Sequence, residues 1–267
     1  MSTSTSSPTG ANDGADLVRR ADVCVVAVAD CFRGDGRRLA NPIGTVPMIG
    51  GRLARATFEP ELMMTDSEAA LIANDEASDW DEKVIETWNP YRRMFDVVWS
   101  GRRHVMMGAT QIDRFGNQNL AALGPDPHQP KVQLLGFRGA PGNTINNTTS
   151  YWVPGHSARV LVEKVDIVSG VGYDRAAELG AVARFHEIRR VVTNLGVFDF
   201  ETPDHRMQVR SLHPGVTLDE VVAATGFDLA VPADVPTSRL PTPDELQLLA
   251  DVIDPKGARY REVPDPA

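Results

Sequence analysis

A short apolar run leads directly into a glycine-rich turn at Val132-Gln133-Leu134-Leu135-Gly136-Phe137-Arg138-Gly139-Ala140-Pro141-Gly142-Asn143. The glycines of this turn permit left-handed backbone angles and let backbone N–H groups come close to a ligand. At the carboxyl end of a strand, such a turn can form an oxyanion hole or an anion-binding nest. The spacing matches neither the dinucleotide-binding fingerprint nor the P-loop, so an ordinary surface turn is the alternative.

Helical and strand-like patterns alternate on both sides of this turn. Apolar residues at three- and four-residue steps predict helices over Leu17–Phe32, Met48–Thr57 and Tyr91–Trp99. Short apolar runs predict strands at Leu62–Thr65, Val105–Gly108, Val132–Leu135, Val160–Val168, Val191–Asn194 and Met207–Leu212. Capping boxes at Thr217 and Thr242 predict two late helices. The alternation predicts an α/β fold, in which helices cover both faces of a mainly parallel sheet.

Length and composition are those of a globular protein. The chain has 267 residues, of which 42% are hydrophobic, so it can bury a substantial core. The polar residues 1–15 predict a disordered tail, and residues 16–267 predict a single α/β domain. Because we find neither a long apolar span nor a signal-peptide pattern, we expect a cytoplasmic protein without a membrane contact.

Charge, cysteine and histidine patterns exclude several function classes. The formal net charge of -9 argues against a general nucleic-acid binder, and arginine pairs such as Arg102-Arg103 are more typical of solvated faces or anion clamps. Cys24 and Cys31 lie seven residues apart on one predicted helix, which favours core packing over a disulfide or a zinc site. The six histidines lack metal-ligand spacing, so we expect no metal.

Polar residues after the predicted strands form the candidate site, because parallel sheets bind ligands at the carboxyl ends of their strands. The candidates are Asp66, Glu68, Gln111, Asn117, Gly136, Phe137, Arg138, Gly139, Ala140 and Asn143. For the two carboxylates, the alternative to catalysis is a helix N-cap followed by a solvated glutamate. For the two amides at 111 and 117, the alternative is turn chemistry within a hairpin.

Motifs spread over nearly the whole predicted domain resemble one protein family. They include Asp-x-Phe-Gly-Asn-x-Asn at 113–119, Gly-x-x-Gly-Ala-x-Gly at 136–142, Gly-Phe-Asp-Leu at 226–229 and Asp-Pro at 254–255. Together they resemble the β subunits of class I CoA-transferases of the glutaconate type. Longer phrases at 139–146, 150–153, 194–200 and 211–216 are similar to one branch, the β subunits of actinobacterial cholesterol ring-cleaving hydrolases of the IpdAB type.

The sequence departs from the transferase pattern at two places. In the transferases a glutamate at a strand end attacks the acyl-CoA thioester, whereas the matching place here reads Asp66-Ser67-Glu68. Asp66 is one methylene shorter and Glu68 lies two positions further on, and small misplacements of a nucleophile cost large factors in rate. Arg138 also replaces a glycine of the transferase turn and adds a cation with a forked set of donors.

The resemblance therefore implies a hydrolase that opens the last steroid ring of a CoA thioester, by water addition and retro-Claisen cleavage. The main catalytic glutamate would come from an α subunit, in a heterodimer or an α2β2 heterotetramer. CoA would be part of the substrate, and no cofactor is implied. In this chain Arg138 and Asn143 would contact the substrate, and the backbone N–H groups of Gly139 and Ala140 would stabilise an oxyanion.

Two alternatives stay open at this point. One is a true CoA-transferase that uses Asp66 or Glu68 as its nucleophile. The other is a non-catalytic scaffold, which would only complete and stabilise the α subunit. A scaffold has little need for glycine, arginine and asparagine concentrated at strand ends, so it ranks third. The altered carboxylate motif, Arg138 and the long matching phrases make the ring-opening hydrolase the leading hypothesis.

Overall fold

A computed structural model describes residues 18–65, 70–73 and 84–265 of the chain. The predicted tail, residues 1–15, lies outside these ranges, as do Asp66 and Glu68. The described strands are β1 Leu39–Pro42, β2 Met63–Thr65, β3 Ala70–Ile72, β4 Ile85–Trp88, β5 Arg103–Gly108, β6 Gln111–Ile112, β7 Gln118–Asn119, β8 Ala122–Leu123, β9 Val132–Gln133, β10 Thr148–Val153, β11 Glu187–Thr193, β12 Gly196–Asp199 and β13 Gln208–Leu212.

Helices connect these strands and follow the last of them. They are α1 Arg20–Cys31, α2 Thr45–Thr57, α3 Tyr91–Val98, α4 Ala140–Asn146, α5 Tyr173–Leu179, α6 Leu218–Ala223, α7 Pro243–Leu248 and α8 Ala258–Glu262. A 3-10 turn covers Gly180–Ala183, and a π-helical turn covers Leu249–Ile253. The predicted helices over 17–32, 48–57 and 91–99 are thus present as α1, α2 and α3, with ends that differ by a few residues.

The largest sheet is parallel at its centre and antiparallel at both edges. Within the described residues its nine strands follow the order β13-β12-β11-β10-β5-β1-β2-β3-β4. The five central strands, from β11 to β2 in this order, are parallel to one another. At each end of the sheet, the last two strands pair antiparallel: β12 and β13 on one side, β3 and β4 on the other. The predicted, mainly parallel sheet is confirmed, and the carboxyl ends of its central strands lie along one edge.

Both faces of the sheet are covered by hydrophobic cores. Met106 on β5 packs with α1 and α2, whereas its neighbours Val105 and Met107 belong to a second cluster with Ala140 of α4. This separation follows from the strand geometry, in which successive side chains point to opposite faces. Helices α1 and α2 approach each other closely at Gly50, where a Cβ atom would lie 2.4 Å from Cγ1 of Val28.

The two cysteines belong to the core, as the sequence predicts. Cys24 and Cys31 are both buried on α1, and neither forms a disulfide. Burial raises the pKa of each thiol to about 12, so both stay protonated and unreactive. Thr217 and Thr242 cap the N-termini of α6 and α7 by accepting the backbone N–H groups of Glu220 and Glu245.

Two strand predictions are wrong in their extent. Residues 160–168 form an irregular segment rather than a strand, which makes one isolated bridge between Leu161 and Ile112. Its buried residues Leu161 and Val165 anchor a loop, and this produced a strand-like apolar pattern. Of the predicted strand 132–135, only the first two residues form β9, which pairs with β8 outside the large sheet. No helix in the described part of the chain is long and apolar enough to cross a membrane.

Candidate active site

A cavity of about 460 Å³ opens at the carboxyl ends of the central parallel strands. Its floor is formed by residues that end or follow β1, β5 and β10, namely Ile43, Gly44, Met107, Gly108, Trp152 and Pro154. The glycine-rich turn and the first residues of α4 form one wall. The turn therefore reaches the sheet edge where ligands of such folds bind. The strand directly before the turn, β9, is not part of the large sheet.

The backbone of the turn is left-handed at two positions. Gly136 has a φ angle of 83° and Arg138 a φ angle of 48°. A left-handed conformation is uncommon for a residue with a Cβ atom, and strained residues of this kind cluster at functional sites. Phe137, Arg138, Gly139 and Ala140 line the cavity, whereas Gly136 lies outside the lining. The backbone N–H of Ala140 donates to the carbonyl of Phe137 at 3.1 Å, so that predicted oxyanion donor is engaged here.

The guanidinium of Arg138 has spare hydrogen-bonding capacity at the cavity wall. Its side chain is exposed, and within residues 18–65, 70–73 and 84–265 it makes neither a hydrogen bond nor an ion pair. A guanidinium presents donors in a planar fork that fits a carboxylate or an enolate oxygen. Arg138 is therefore positioned to bind an anionic group of a ligand.

Asn143 lies deeper in the same wall, on the first turn of α4. Its side chain is only 5% exposed and lines the cavity. The amide oxygen Oδ1 accepts a hydrogen bond from Nη1 of Arg103 at 2.9 Å, and Nδ2 lies 3.9 Å from Sδ of Met107. The structure thus brings Asn143 together with Arg138, Gly139 and Ala140, as predicted from the sequence.

Glu262 is a carboxylate in this cavity that sequence reasoning missed. It is the last residue of α8 and lines the cavity opposite the turn. Its Oε2 accepts the backbone N–H of Val46 at 2.8 Å, and its Oε1 accepts Nε1 of Trp152 at 2.9 Å. Glu262 therefore caps the N-terminus of α2 and fixes the Trp152 ring in the cavity floor. Because Val46 and Glu262 are 216 residues apart, no local pattern predicts this contact.

Gln111 and Asn117 do not line the cavity. The amide nitrogen of Asn117 donates to Asp113 and to Asp174, and its amide oxygen accepts the backbone N–H of Gly172 at 2.8 Å. The amide oxygen of Gln111 accepts from Asn119 at 2.8 Å and from the backbone of Asp166 at 3.0 Å. These two amides join the 111–119 loop to residues 166–174, and neither lies at the cavity. A substrate-binding role for them stays a prediction from the sequence.

The carboxyl of Asp113 has a raised pKa but belongs to that loop. Burial raises the pKa of its carboxyl to about 6, against the lowering effect of hydrogen bonds from Asn117 and the backbone of Phe115. It lies outside the cavity that holds Arg138 and Asn143. Within the described ranges, no group of three or more His, Cys, Asp or Glu residues is arranged to hold a metal ion.

The predicted carboxylates Asp66 and Glu68 lie outside the described residues. The strand that precedes them, β2, ends at Thr65, whose hydroxyl donates to Oδ1 of Asn41 on β1 at 2.8 Å. This buried contact joins the carboxyl ends of β1 and β2. Any catalytic role of Asp66 or Glu68 stays a prediction from the sequence.

Sequence comparison identifies the class of protein that combines this fold with this site. The profile of the coenzyme A transferase family matches residues 69–224, which include β3 to β13 and the glycine-rich turn. The chain therefore belongs to the coenzyme A transferase family.

More specific similarity is found within this family. The chain is 54% identical over 246 residues to the cholesterol ring-cleaving hydrolase IpdB subunit of Rhodococcus jostii strain RHA1, covering 92% of this chain and 96% of that one. It superposes on the crystal structure of Rhodococcus jostii RHA1 IpdAB with a TM-score of 0.88, over 92% of this chain and 99% of that chain. Glutaconate coenzyme A-transferase from Acidaminococcus fermentans superposes with a TM-score of 0.78 over 91% and 97% of the two chains. At 22% identity, that match shows a shared fold.

Proposed function

We propose that this chain is the β subunit of a heteromeric hydrolase that opens the last steroid ring of a cholesterol-derived CoA thioester. The cavity wall carries the proposal, because the guanidinium of Arg138, which has no partner among the described residues, lies beside largely apolar walls at the strand ends. Ile43, Met107, Leu135, Phe137 and Trp152 supply the apolar surface that a steroid ring requires. The 54% identity to a cholesterol ring-cleaving hydrolase subunit supports this substrate class.

In the proposed reaction, water is first added to the carbon–carbon double bond of an activated enone, and a retro-Claisen cleavage follows. In the cleavage step, the oxygen of a second water molecule bonds to a ring carbonyl carbon, and the adjacent carbon–carbon bond then breaks. The bonding electron pair enters an enolate, which takes up a proton, and the attacked carbon becomes a carboxylate. Negative charge develops on oxygen both before and after the bond breaks, so donors aimed at that oxygen accelerate the reaction.

The chain would contribute binding and charge stabilisation to this reaction. Arg138 binds the carboxylate or enolate oxygen through its guanidinium, and Asn143 with the backbone N–H of Gly139 donates to the oxyanion. The main catalytic glutamate is supplied by the partner α subunit, in a heterodimer or an α2β2 heterotetramer. CoA is part of the substrate and no cofactor takes part. The enzyme acts in the cytoplasm, as its CoA thioester substrate requires.

The proposal is tested by producing the chain together with an α subunit of the IpdA type. The complex is supplied with a steroid CoA thioester that retains one ring, in water enriched in ¹⁸O. We expect one ¹⁸O atom in a new carboxylate, with the thioester intact. Rapid acyl exchange onto acetate or succinate without ring opening would overturn the proposal, and labelling of the chain by hydroxylamine in the presence of acyl-CoA would instead indicate a transferase with a carboxylate nucleophile.

A further inference from the structure

Arg103 is a buried cation that lacks a carboxylate partner among the described residues. Its side chain is 3% exposed, and its Nε atom is buried without a hydrogen-bond acceptor. The side-chain hydrogen bond that it makes is the one from Nη1 to Oδ1 of Asn143, at 2.9 Å. Burial lowers the pKa of this guanidinium to about 10, which leaves it charged at neutral pH. Buried charges are normally paired, so an unpaired buried guanidinium lowers the stability of the fold. Packing alone does not explain why the chain has an arginine at this position.

The guanidinium fixes the orientation of the Asn143 amide. Because arginine only donates hydrogen bonds, Asn143 must turn its oxygen towards Arg103 and its NH₂ group away. The Nδ2 atom then lies 3.9 Å from Sδ of Met107, a weak acceptor, and 3.5 Å from the position of a Cβ atom added to Gly139. Met107 and Gly139 both line the cavity, so the NH₂ group faces the cavity with donor capacity to spare.

The charge of Arg103 also makes this amide a stronger donor. A cation hydrogen-bonded to an amide oxygen draws electron density from the amide nitrogen, and connected hydrogen bonds strengthen one another in a low-dielectric interior. We propose that Arg103 is a positioning residue that holds Asn143 with its NH₂ group directed at the substrate oxygen that gains negative charge. This inference rests on the proposed function, and it assigns Arg103 a role in turnover through Asn143 rather than through direct contact with the substrate.

The variant Asn143→Asp separates this role from a purely structural one. It keeps an oxygen opposite Arg103, supplies the missing counter-ion and removes the NH₂ donor. We expect its complex with the α subunit to unfold at a temperature no lower than that of the wild type, while kcat falls by about 100-fold or more. Asn146→Asp, on the same helix but outside the cavity, is the matched control and should turn over like the wild type.

Substitution of Arg103 itself tests the coupling. Arg103→Met removes the cation, so the amide of Asn143 is free to rotate and exchange the positions of its oxygen and its NH₂ group. We therefore expect kcat to fall by about 10-fold with little change in KM. Arg103→Lys retains a buried cation and a donor, and should restore part of kcat. Wild-type turnover in Asn143→Asp, or an equal loss of kcat in Arg103→Met and Arg103→Lys with intact folding, would overturn the inference.

The proposed function can fail separately from this inference. If the wild-type complex does not open the ring, the substrate assignment is wrong, and binding of the same steroid CoA thioester is then measured by calorimetry. Weaker binding by Asn143→Asp than by the wild type, without a loss of thermal stability, would still support an amide donor directed into the cavity. Unchanged binding, or a clearly lower unfolding temperature of Asn143→Asp, would overturn it.

Discussion

Arg103 and His104 are neighbours on β5, yet they enter opposite faces of the sheet and meet opposite polar environments. His104 is fully buried, with Nδ1 2.5 Å from Oδ2 of Asp35 and Nε2 2.9 Å from Oγ of Ser150. Asp35 also accepts a hydrogen bond from Arg189 at 2.8 Å. On the other face, Arg103 has Asn143 as its side-chain partner, and its Nε atom has no acceptor among the residues that the structure describes.

The difference separates a structural polar cluster from a functional one. In the closed cluster of Asp35, His104, Ser150 and Arg189, each charge has a partner, as burial demands. In the open cluster of Arg103 and Asn143, Nε of Arg103 has no acceptor among the described residues, and the NH₂ group of Asn143 has the weak acceptor Sδ of Met107 beside the cavity. A ligand in the cavity can accept a hydrogen bond from the amide of Asn143, whereas a weakly satisfied donor elsewhere only costs stability.

The largest expected effect follows from breaking the closed cluster. Asp35→Ala leaves Arg189 without its buried partner and His104 without its acceptor. We expect the free energy of unfolding to fall by about 3–5 kcal/mol. Glu61→Ala is the control, since it removes an exposed ion pair with Arg37 and should cost less than about 1 kcal/mol. Denaturant unfolding of both variants compares the two sites, and equal losses would show that the closed cluster is not a structural support.

Removal of Arg138 tests whether the cavity binds the substrate rather than supporting the fold. Because this side chain is exposed and unpaired within the described chain, Arg138→Ala should change the free energy of unfolding by less than about 0.5 kcal/mol. In the complex we expect kcat/KM for the steroid CoA thioester to fall by about 100-fold, equivalent to about 2.7 kcal/mol. Arg175→Ala, at another exposed arginine, should leave turnover unchanged. Full activity of Arg138→Ala would remove Arg138 from the site.

Gly142→Ala tests how α4 holds Asn143 in place. A Cβ atom at position 142 would lie 2.4 Å from Cγ1 of Val98, so either the Val98 side chain or α4 itself must shift. We expect a loss of about 1–3 kcal/mol in the free energy of unfolding and a lower kcat, because Asn143 moves with its helix. Gly155→Ala is the control, since nothing lies within 4 Å of its added methyl group. Similar stability of the two variants would contradict close packing at Gly142.

The smallest expected effect is the pH dependence of the closed cluster. Burial lowers the pKa of His104 against the raising effect of Asp35, so folded His104 resists protonation below its ordinary value of 6.5. The unfolded chain binds that proton first, and stability must therefore fall as the pH drops below about 6.5. His156 and His213, whose pKa values burial lowers to about 4, add to the same slope. We expect His104→Gln to unfold with a shallower dependence between pH 7 and 5, and an unchanged slope would contradict this assignment.

Much of the fold could be predicted because its signals are local. The helical pattern over 17–32 became α1, and the short apolar runs at 62–65 and 105–108 became β2 and β5. The run at 160–168 failed because its apolar residues anchor an irregular loop, and apolar content alone does not distinguish the two. The four-residue strand β12 was missed because Gly196-Val197-Phe198-Asp199 is short and includes a turn residue.

The candidate site was predictable only in part. The glycine-rich turn pointed to Arg138 and Asn143, and the structure places both beside one cavity. Glu262 and Arg103 could not be predicted from local patterns. The contact of Glu262 with Val46 spans 216 residues, and the contact of Arg103 with Asn143 spans 40 residues. The pair Arg102-Arg103 was interpreted as a solvated face or an anion clamp, whereas Arg102 precedes β5 and is exposed and Arg103 begins β5 and is buried. Gln111 and Asn117 were singled out by residue type, and the structure places both amides in contacts that join the 111–119 loop to residues 166–174, away from the cavity.

A double-mutant cycle between Arg103 and Asn143 tests the central claim most directly. The variants Arg103→Met, Asn143→Leu and the double variant are compared by kcat in the complex with the α subunit, with thermal unfolding as a check on the fold. If Arg103 acts through Asn143, kcat of the double variant equals that of Asn143→Leu within about twofold, because the second substitution has nothing left to disturb. Losses of kcat that multiply in the double variant would contradict the account, since the two residues would then act independently.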